Sequence, residues 1–262
     1  MNIANLLEME NDEKITAMIP VRDIEDGKFL MMATMSGVIK KTSIMEYENV
    51  RRGGKIAINL DDGDSLIKVE LTDGSQDILI ATRLGKIIRF KESDVRSVGR
   101  VSRGVKSITL GKDDRVISMS IVGRDDPDAQ SGDSAETAVP QILTVSENGY
   151  GKKTNLGEYR LQSRGGMGTK SYRITDETGN IAGVEVMTDG EDIMLITSDG
   201  TIIRMPGSGV STISRVTKGV RLMRLGEDVK VVSIAKVAEE TEDEDVVEGA
   251  EESTEQTEDT PE

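Results

Sequence analysis

Four stretches of the chain share one order of apolar and polar positions: "FLMMATMSGVIKKTSI", "DILIATRLGKIIRFKES", "QILTVSENGYGKKTNL" and "DIMLITSDGTIIRMPGS". Each is an apolar run, a two-residue turn ending in Gly, and a second run that carries Lys or Arg. Short runs broken by Gly read as the two strands of a hairpin. Gly at the second turn position suits a type I′ turn, where φ is positive. The turn glycines are Gly37, Gly85, Gly149 and Gly200, separated by 48, 64 and 51 residues. A 16-residue polar stretch accounts for the longer middle interval. The second runs carry Lys40 and Lys41, Arg89, Lys152 and Lys153, and Arg204.

A second strand pair is expected after each hairpin: "GKIAINLDDGDSLIKVEL", "GVKSITLGKDDRVISMSIV", "GTKSYRITDETGNIAGVEV" and "GVRLMRLGEDVKVVSIAKV". Four short strands in roughly 48 residues match the size and strand number of a propeller blade. No unit has enough apolar surface to stand alone, and no linker separates one unit from the next. The expectation is therefore an all-β, propeller-like disc over residues 1–237, with repeats at 28–72, 77–122, 141–187 and 192–237. The opening residues 3–21 match only the second strand pair of a unit. About five blades are thus expected, the first partial, in a chain that reads as a fragment of a longer protein.

Charge divides the chain. From 238 to 262 there are 13 acidic residues and no Lys or Arg, which predicts a disordered tail. The rest carries 33 basic and 35 acidic residues, net −2, against −15 for the whole. Residues 125–140 hold five acids and no base and read as an acidic loop insertion; without them the body is net +3. The tail is either a solubilising appendage or a phosphate mimic that competes for a basic surface.

The chain has no Cys and no His. That excludes disulfides, thiolate or imidazole metal sites, and Ser-His-Asp or Cys-His catalysis. Aromatic residues make up 2%, so the core must be Ile, Val, Leu and the 13 Met. The start has no basic region followed by an apolar run, and no stretch nears the roughly 20 apolar residues of a membrane span. A soluble cytoplasmic protein is expected.

Between the strand pairs each unit carries a basic, Gly-containing connection: "YENVRRGGK", "RSVGRVSRGVK", "EYRLQSRGGMGTK" and "STISRVTKGVR". Gly104, Gly168 and Gly219 each fall 19 residues after the hairpin Gly, and Gly54 falls 17 after Gly37. The cations recur with them: Arg51, Arg52 and Lys55; Arg96, Arg100, Arg103 and Lys106; Arg160, Arg164 and Lys170; Arg215, Lys218 and Arg221. Gly lets a backbone approach a ligand closely, and Arg offers a forked donor suited to phosphate oxygens. Repeated blade by blade, the pattern places cations at intervals around a rim that a polyanion could follow. Nothing resembles a base-reading element, so duplex DNA would be bound without sequence preference, through its backbone and its bendability.

"RFKESDVRSVGRVSRGVKSITLGKDDRVISM", "SENGYGKKTNLGEYRLQSRGGMG" and "SRVTKGVRLMRL" closely resemble the C-terminal domain of the bacterial DNA gyrase A subunit, more than that of the related topoisomerase IV A subunit. The resemblance spans nearly all of the chain ahead of the acidic tail. It implies a β-pinwheel whose basic rim wraps duplex DNA, in an enzyme completed by the rest of the gyrase A subunit, together with the gyrase B subunit. ATP and Mg²⁺ would belong to that complete ATP-hydrolysing type II topoisomerase, with no cofactor, metal or catalytic residue in this chain, which would be monomeric and make no membrane contact. The family's box, Gln-Arg-Arg-Gly-Gly-Lys-Gly, is matched at Arg51, Arg52, Gly53, Gly54 and Lys55, with Val50 and Ile56 at its ends. "SRGGMG" at 163–168 is a second partial match.

Two other functions compete. A propeller scaffold for protein partners would show exposed aromatic anchors, which two Phe and no Trp disfavour. An enzyme sited in a central channel would need convergent carboxylates. The run "DDGD" at 61–64 reads as a solvated turn and lacks the spacing of a calcium loop. The four tyrosines read as packing or loop residues.

Overall fold

The computed structural model describes residues 15–21, 24–50, 54–123, 140–188 and 190–238. The acidic insertion, the tail beyond Ala238, most of the opening partial unit, and Arg51, Arg52 and Gly53 lie outside the described residues.

Each hairpin forms where the sequence places it: β1 (Phe29–Thr34) with β2 (Val38–Ser43), β4 (Asp77–Thr82) with β5 (Lys86–Lys91), β8 (Gln141–Ser146) with β9 (Tyr150–Asn155), and β12 (Glu191–Thr197) with β13 (Ile202–Pro206). The turns are not type I′. Gly37, Gly85, Gly149 and Gly200 have positive φ, but Ser36, Leu84, Asn148 and Asp199 before them do not. The Gly37 amide donates to Thr34 O at 3.1 Å, and the other three turns repeat this bond. The loop is thus a type I turn closed by a left-handed Gly. It spares Leu84 a positive φ.

The expected second strand pair does not stay within one sheet. Its later half forms a seven- or eight-residue strand beside the hairpin: β3 (Leu66–Thr72), β7 (Val116–Val122), β11 (Ile181–Met187) and β15 (Val231–Ala238). Its earlier half is a two-residue strand that crosses to the sheet before it. β6 (Val105–Lys106) pairs with β2, β10 (Thr169–Lys170) with β5, and β14 (Val220–Arg221) with β9. The sheets therefore run β3-β1-β2-β6, β7-β4-β5-β10, β11-β8-β9-β14 and β15-β12-β13, the last without a fourth strand among the described residues. In the first repeat, residues 54–60 form no strand.

Inner strands β3, β7, β11 and β15 abut one another in that order, so four sheets follow around a common axis as propeller-like blades. Side chains fill the spaces between successive sheets. Met31, Ile39, Ile80, Phe90 and Met119 lie between the first two, Leu79, Ile142, Tyr159 and Tyr172 between the next, and Leu143, Val145, Ile193 and Leu195 between the last. The core is aliphatic, as the composition requires, with Tyr159 and Tyr172 as its largest members. Because each blade has apolar residues on both faces, blades stabilise one another by burial rather than singly.

Candidate nucleic-acid interface

Strand exchange fixes where the basic connections lie. The second, third and fourth connections run along the outer strand of the preceding blade and end in the two-residue strand at that blade's edge. Val98 N donates to Lys41 O, Gln162 N to Arg89 O and Ile213 N to Lys153 O, at 2.8–2.9 Å and at equivalent places in the repeat. The connections therefore sit at the perimeter, one at each junction between blades.

The loop glycines serve this packing. A Cβ on Gly104 would lie 2.5 Å from Ile39 O, one on Gly168 2.9 Å from Ile87 O, and one on Gly219 2.5 Å from Gly151 O. The expectation that these glycines make room for a ligand is corrected: the preceding blade's backbone takes that space. Gly54, with no preceding described blade, has nothing within 4 Å of that position.

The candidate cations separate into three groups. Arg96, Lys106, Lys153, Arg160 and Lys170 are exposed or half-exposed and make no ion pair with another described residue. A second group faces solvent while paired. Arg103 meets Asp61 at 2.8 Å, Arg204 meets Asp192 at 2.8 Å, Lys218 meets Glu177 at 2.6 Å, and Arg100 and Arg215 meet Glu46 and Glu158 at 3.8 Å. Arg221 bonds the Tyr150 hydroxyl and stands 4.0 Å from Glu177. Hydrogen bonds from Lys218 and Tyr150 hold the Glu177 carboxyl below the usual range, so it stays ionised. Arg89 pairs with Asp77 at 2.8 Å and is one-fifth exposed. Lys55 donates to the carbonyls of Glu46 and Glu48, and Arg164 to those of Asp94 and Lys106.

The third group corrects the sequence reading. Lys40 and Lys152 are fully buried, and Lys41 is 6% exposed. Lys41 lies 2.9 Å from the buried Glu92 and over the Phe29 ring. Lys40 donates to Ala57 O and Arg100 O, and Lys152 to Ser171 O, Ser214 O and Arg215 O. These three ammonium groups are spent inside the protein, because the next unit's connection covers the outer strand that carries them. Burial brings the pKa of Lys40 and of Lys152 down from 10.5 to about 8; Arg100 and Arg215 push the same way, Glu46 and Glu158 oppose.

The structure gathers Arg96, Arg103 and Arg164 around a cleft of about 430 Å³ at the first junction, with Lys40 among its lining residues. It also adds two exposed cations that the sequence pattern did not single out, Arg173 and Arg224. Each stands five residues after its loop Gly, an offset that could have identified them. Val101, Met167 and Val216 are exposed on the same three connections.

The chain matches the family described as "DNA gyrase C-terminal domain, beta-propeller" over residues 28–73, 76–123, 140–186 and 191–238. It is 43% identical over 230 residues to the DNA gyrase A subunit of Salmonella typhimurium, and 41% identical over 227 residues to that of Staphylococcus aureus. These alignments cover 88% and 86% of the chain but only 25% and 24% of those proteins, so the chain spans about a quarter of their length. Among solved structures, a C-terminal domain of DNA topoisomerase IV superposes with a TM-score of 0.81 at 27% identity, covering 91% of this chain and 70% of that one. A DNA gyrase A C-terminal domain superposes with a TM-score of 0.76 over 90% of this chain and 74% of that one; at 24% identity it bears on the fold alone.

Proposed function

The chain belongs to the DNA gyrase C-terminal domain, beta-propeller family, and from that premise we propose that it binds duplex DNA along its perimeter and bends it, as the DNA-wrapping module of a gyrase. The observation that supports this most is the recurrence of solvent-facing cations at three successive blade junctions: Arg96 and Lys106, Arg160 and Lys170, then Lys153 with Lys218 and Arg221. A small ligand has no use for equivalent charges on separate blades, whereas a polyphosphate backbone meets each in turn. Bending 20–30 bp by 40–90° costs on the order of 1–6 kcal/mol, which several charge-assisted contacts acting together offset. In the complete enzyme the module would hold a DNA segment beside the remainder of the A subunit, with the B subunit, in the bacterial cytoplasm. ATP and Mg²⁺ would act on those other parts.

Fluorescence anisotropy on a duplex of about 40 bp, across a salt series, tests the proposal. The five cations that make no ion pair with another described residue alone give a slope of log K against log salt of about −4.5. Plasmid relaxed with a topoisomerase in the presence of the chain should change linking number if the duplex is wrapped. Absence of binding at low salt, or a slope near zero, would defeat the proposal.

A further inference from the structure

Two of the buried lysines occupy one place in the repeat. Lys40 and Lys152 each stand three residues after the hairpin Gly, where the second and fourth repeats carry Ile88 and Ile203. Their partners are equivalent as well. Ala57 and Ser171 lie three residues after the loop Gly of the same unit; Arg100 and Arg215 lie four before the loop Gly of the next unit. Each ammonium therefore joins two consecutive rim connections through their backbone carbonyls, and one of those carbonyls belongs to a rim arginine.

Lysine suits this task for a chemical reason. An ammonium has three donors and no acceptor, and around Lys152 three carbonyls converge, with Ser171 O at 2.9 Å and Ser214 O at 2.7 Å. An aliphatic side chain would leave those oxygens buried without it. The second junction, where Ile88 replaces the lysine, is joined differently. Gly165 N bonds Ser107 O directly at 2.7 Å, and Arg164 reaches from the loop to Lys106 O. Where no buried cation is present, a rim cation is drawn in to replace it.

We propose that Lys40 and Lys152 are positioning residues for DNA binding: from inside the protein they staple successive rim connections together, so that Arg100 and Arg215 are held on the perimeter at a fixed spacing. The proposal rests on the DNA-binding reading above, but its geometry is separable from it. Neither ammonium can reach a phosphate itself, since both residues are fully buried. Any effect of removing them on DNA must pass through the loops.

The test uses the 262-residue chain with Lys152→Met, with Lys40→Met, and with Lys153→Met as the solvent-facing control. Hydrogen exchange at 211–217 should accelerate at least tenfold in Lys152→Met, and at 96–102 in Lys40→Met, with β8 and β9 unchanged. The salt slope for duplex binding should fall by about 1 in each, as one arginine–phosphate contact is lost. A staple with no bearing on DNA would accelerate exchange and leave the slope alone. Lys153→Met should lower the slope without touching exchange. Folded Lys40→Met and Lys152→Met proteins with the original slope and affinity would overturn the proposal. So would exchange at 211–217 in the unsubstituted chain as fast as at the exposed turn 61–64, a measurement that stands even if a variant fails to fold. A chain that binds no duplex at all defeats the DNA reading, and with it the positioning role, while the exchange data still report whether the staple exists.

Discussion

Lys40 and Lys152 hold protons that the folded chain binds less tightly than the unfolded one. Their pKa values fall from 10.5 to about 8, chiefly through burial. The charges facing them are Glu46 and Arg100 for the first, Glu158 and Arg215 for the second, with the Tyr172 ring beside Lys152. Between about pH 8 and 10.5 the unfolded chain carries these protons and the folded chain does not, so stability should rise with pH across that window. A pKa lowered by one corresponds to about 1.4 kcal/mol. Burial raises Tyr172 to about 12 and moves Tyr47 and Tyr159 upward too, so these phenols stay neutral over most of the window. Urea unfolding at pH 7.5 and 9.5 should show greater stability at the higher pH, and the Lys40→Met, Lys152→Met double variant should flatten the difference. A fall in stability over that interval would contradict the assignment. The burial is hard to read from sequence, because Lys40 after Ile39 looks like the outward side of an alternating strand, and Lys152 after Gly151 has no apolar neighbour on its N-terminal side to mark a covered face. The available signal was the alignment with Ile88 and Ile203, which marks the position as one that is covered.

At the scale of elements, what was legible is what is local. The hairpins, their glycines and the repeat depend on contacts a few residues apart, and each stands where the pattern placed it. The crossing of β6, β10 and β14 to the preceding sheet was not legible: two residues carry no periodicity, and their partners lie about 70 or 80 positions earlier. The loop glycines stood out for a ligand's sake when the need came from packing. This separates two substitutions of the same kind. Gly219→Ala places a Cβ 2.5 Å from Gly151 O at a φ of +75°. Gly200→Ala, at a φ of +85°, meets nothing within 4 Å. The second should cost only the left-handed backbone, about 1–2 kcal/mol. The first adds a backbone clash and should exceed it by about 1–3 kcal/mol, unseating β14 from β9. Thermal unfolding of the two variants side by side decides it, and equal midpoints would mean that the edge pairing is not held by Gly219. β13 shows what the crossing strand does. Ile202 is 60% exposed there, whereas its counterparts on the covered outer strands, Ile39, Ile87 and Gly151, are buried.

For the whole molecule, a net charge of −15 coexists with a cationic perimeter because sign is sorted by place. The sorting is incomplete along the rim itself. At the middle junction Arg160 and Lys170 make no ion pair with another described residue, whereas at the last junction one carboxylate, Glu177, faces both Lys218 at 2.6 Å and Arg221 at 4.0 Å. Such exposed pairs are weak and screened by salt, so a phosphate can replace the carboxylate, but the carboxylate must first be displaced. On the proposed DNA path Glu177 would therefore be a local competitor for the phosphates. Glu177→Gln keeps the side chain's shape and a polar partner for the Tyr150 hydroxyl while removing the charge. Duplex affinity at low salt should rise severalfold, and the salt slope should steepen by about 1–2 as Lys218 and Arg221 each acquire a phosphate. Under the same conditions Glu92→Gln, at the buried partner of Lys41, should leave the slope unchanged, because that cation does not face solvent. If Glu177→Gln binds duplex no better than the unsubstituted chain across the salt series, the last junction lies off the DNA path, and the contact is confined to the first two.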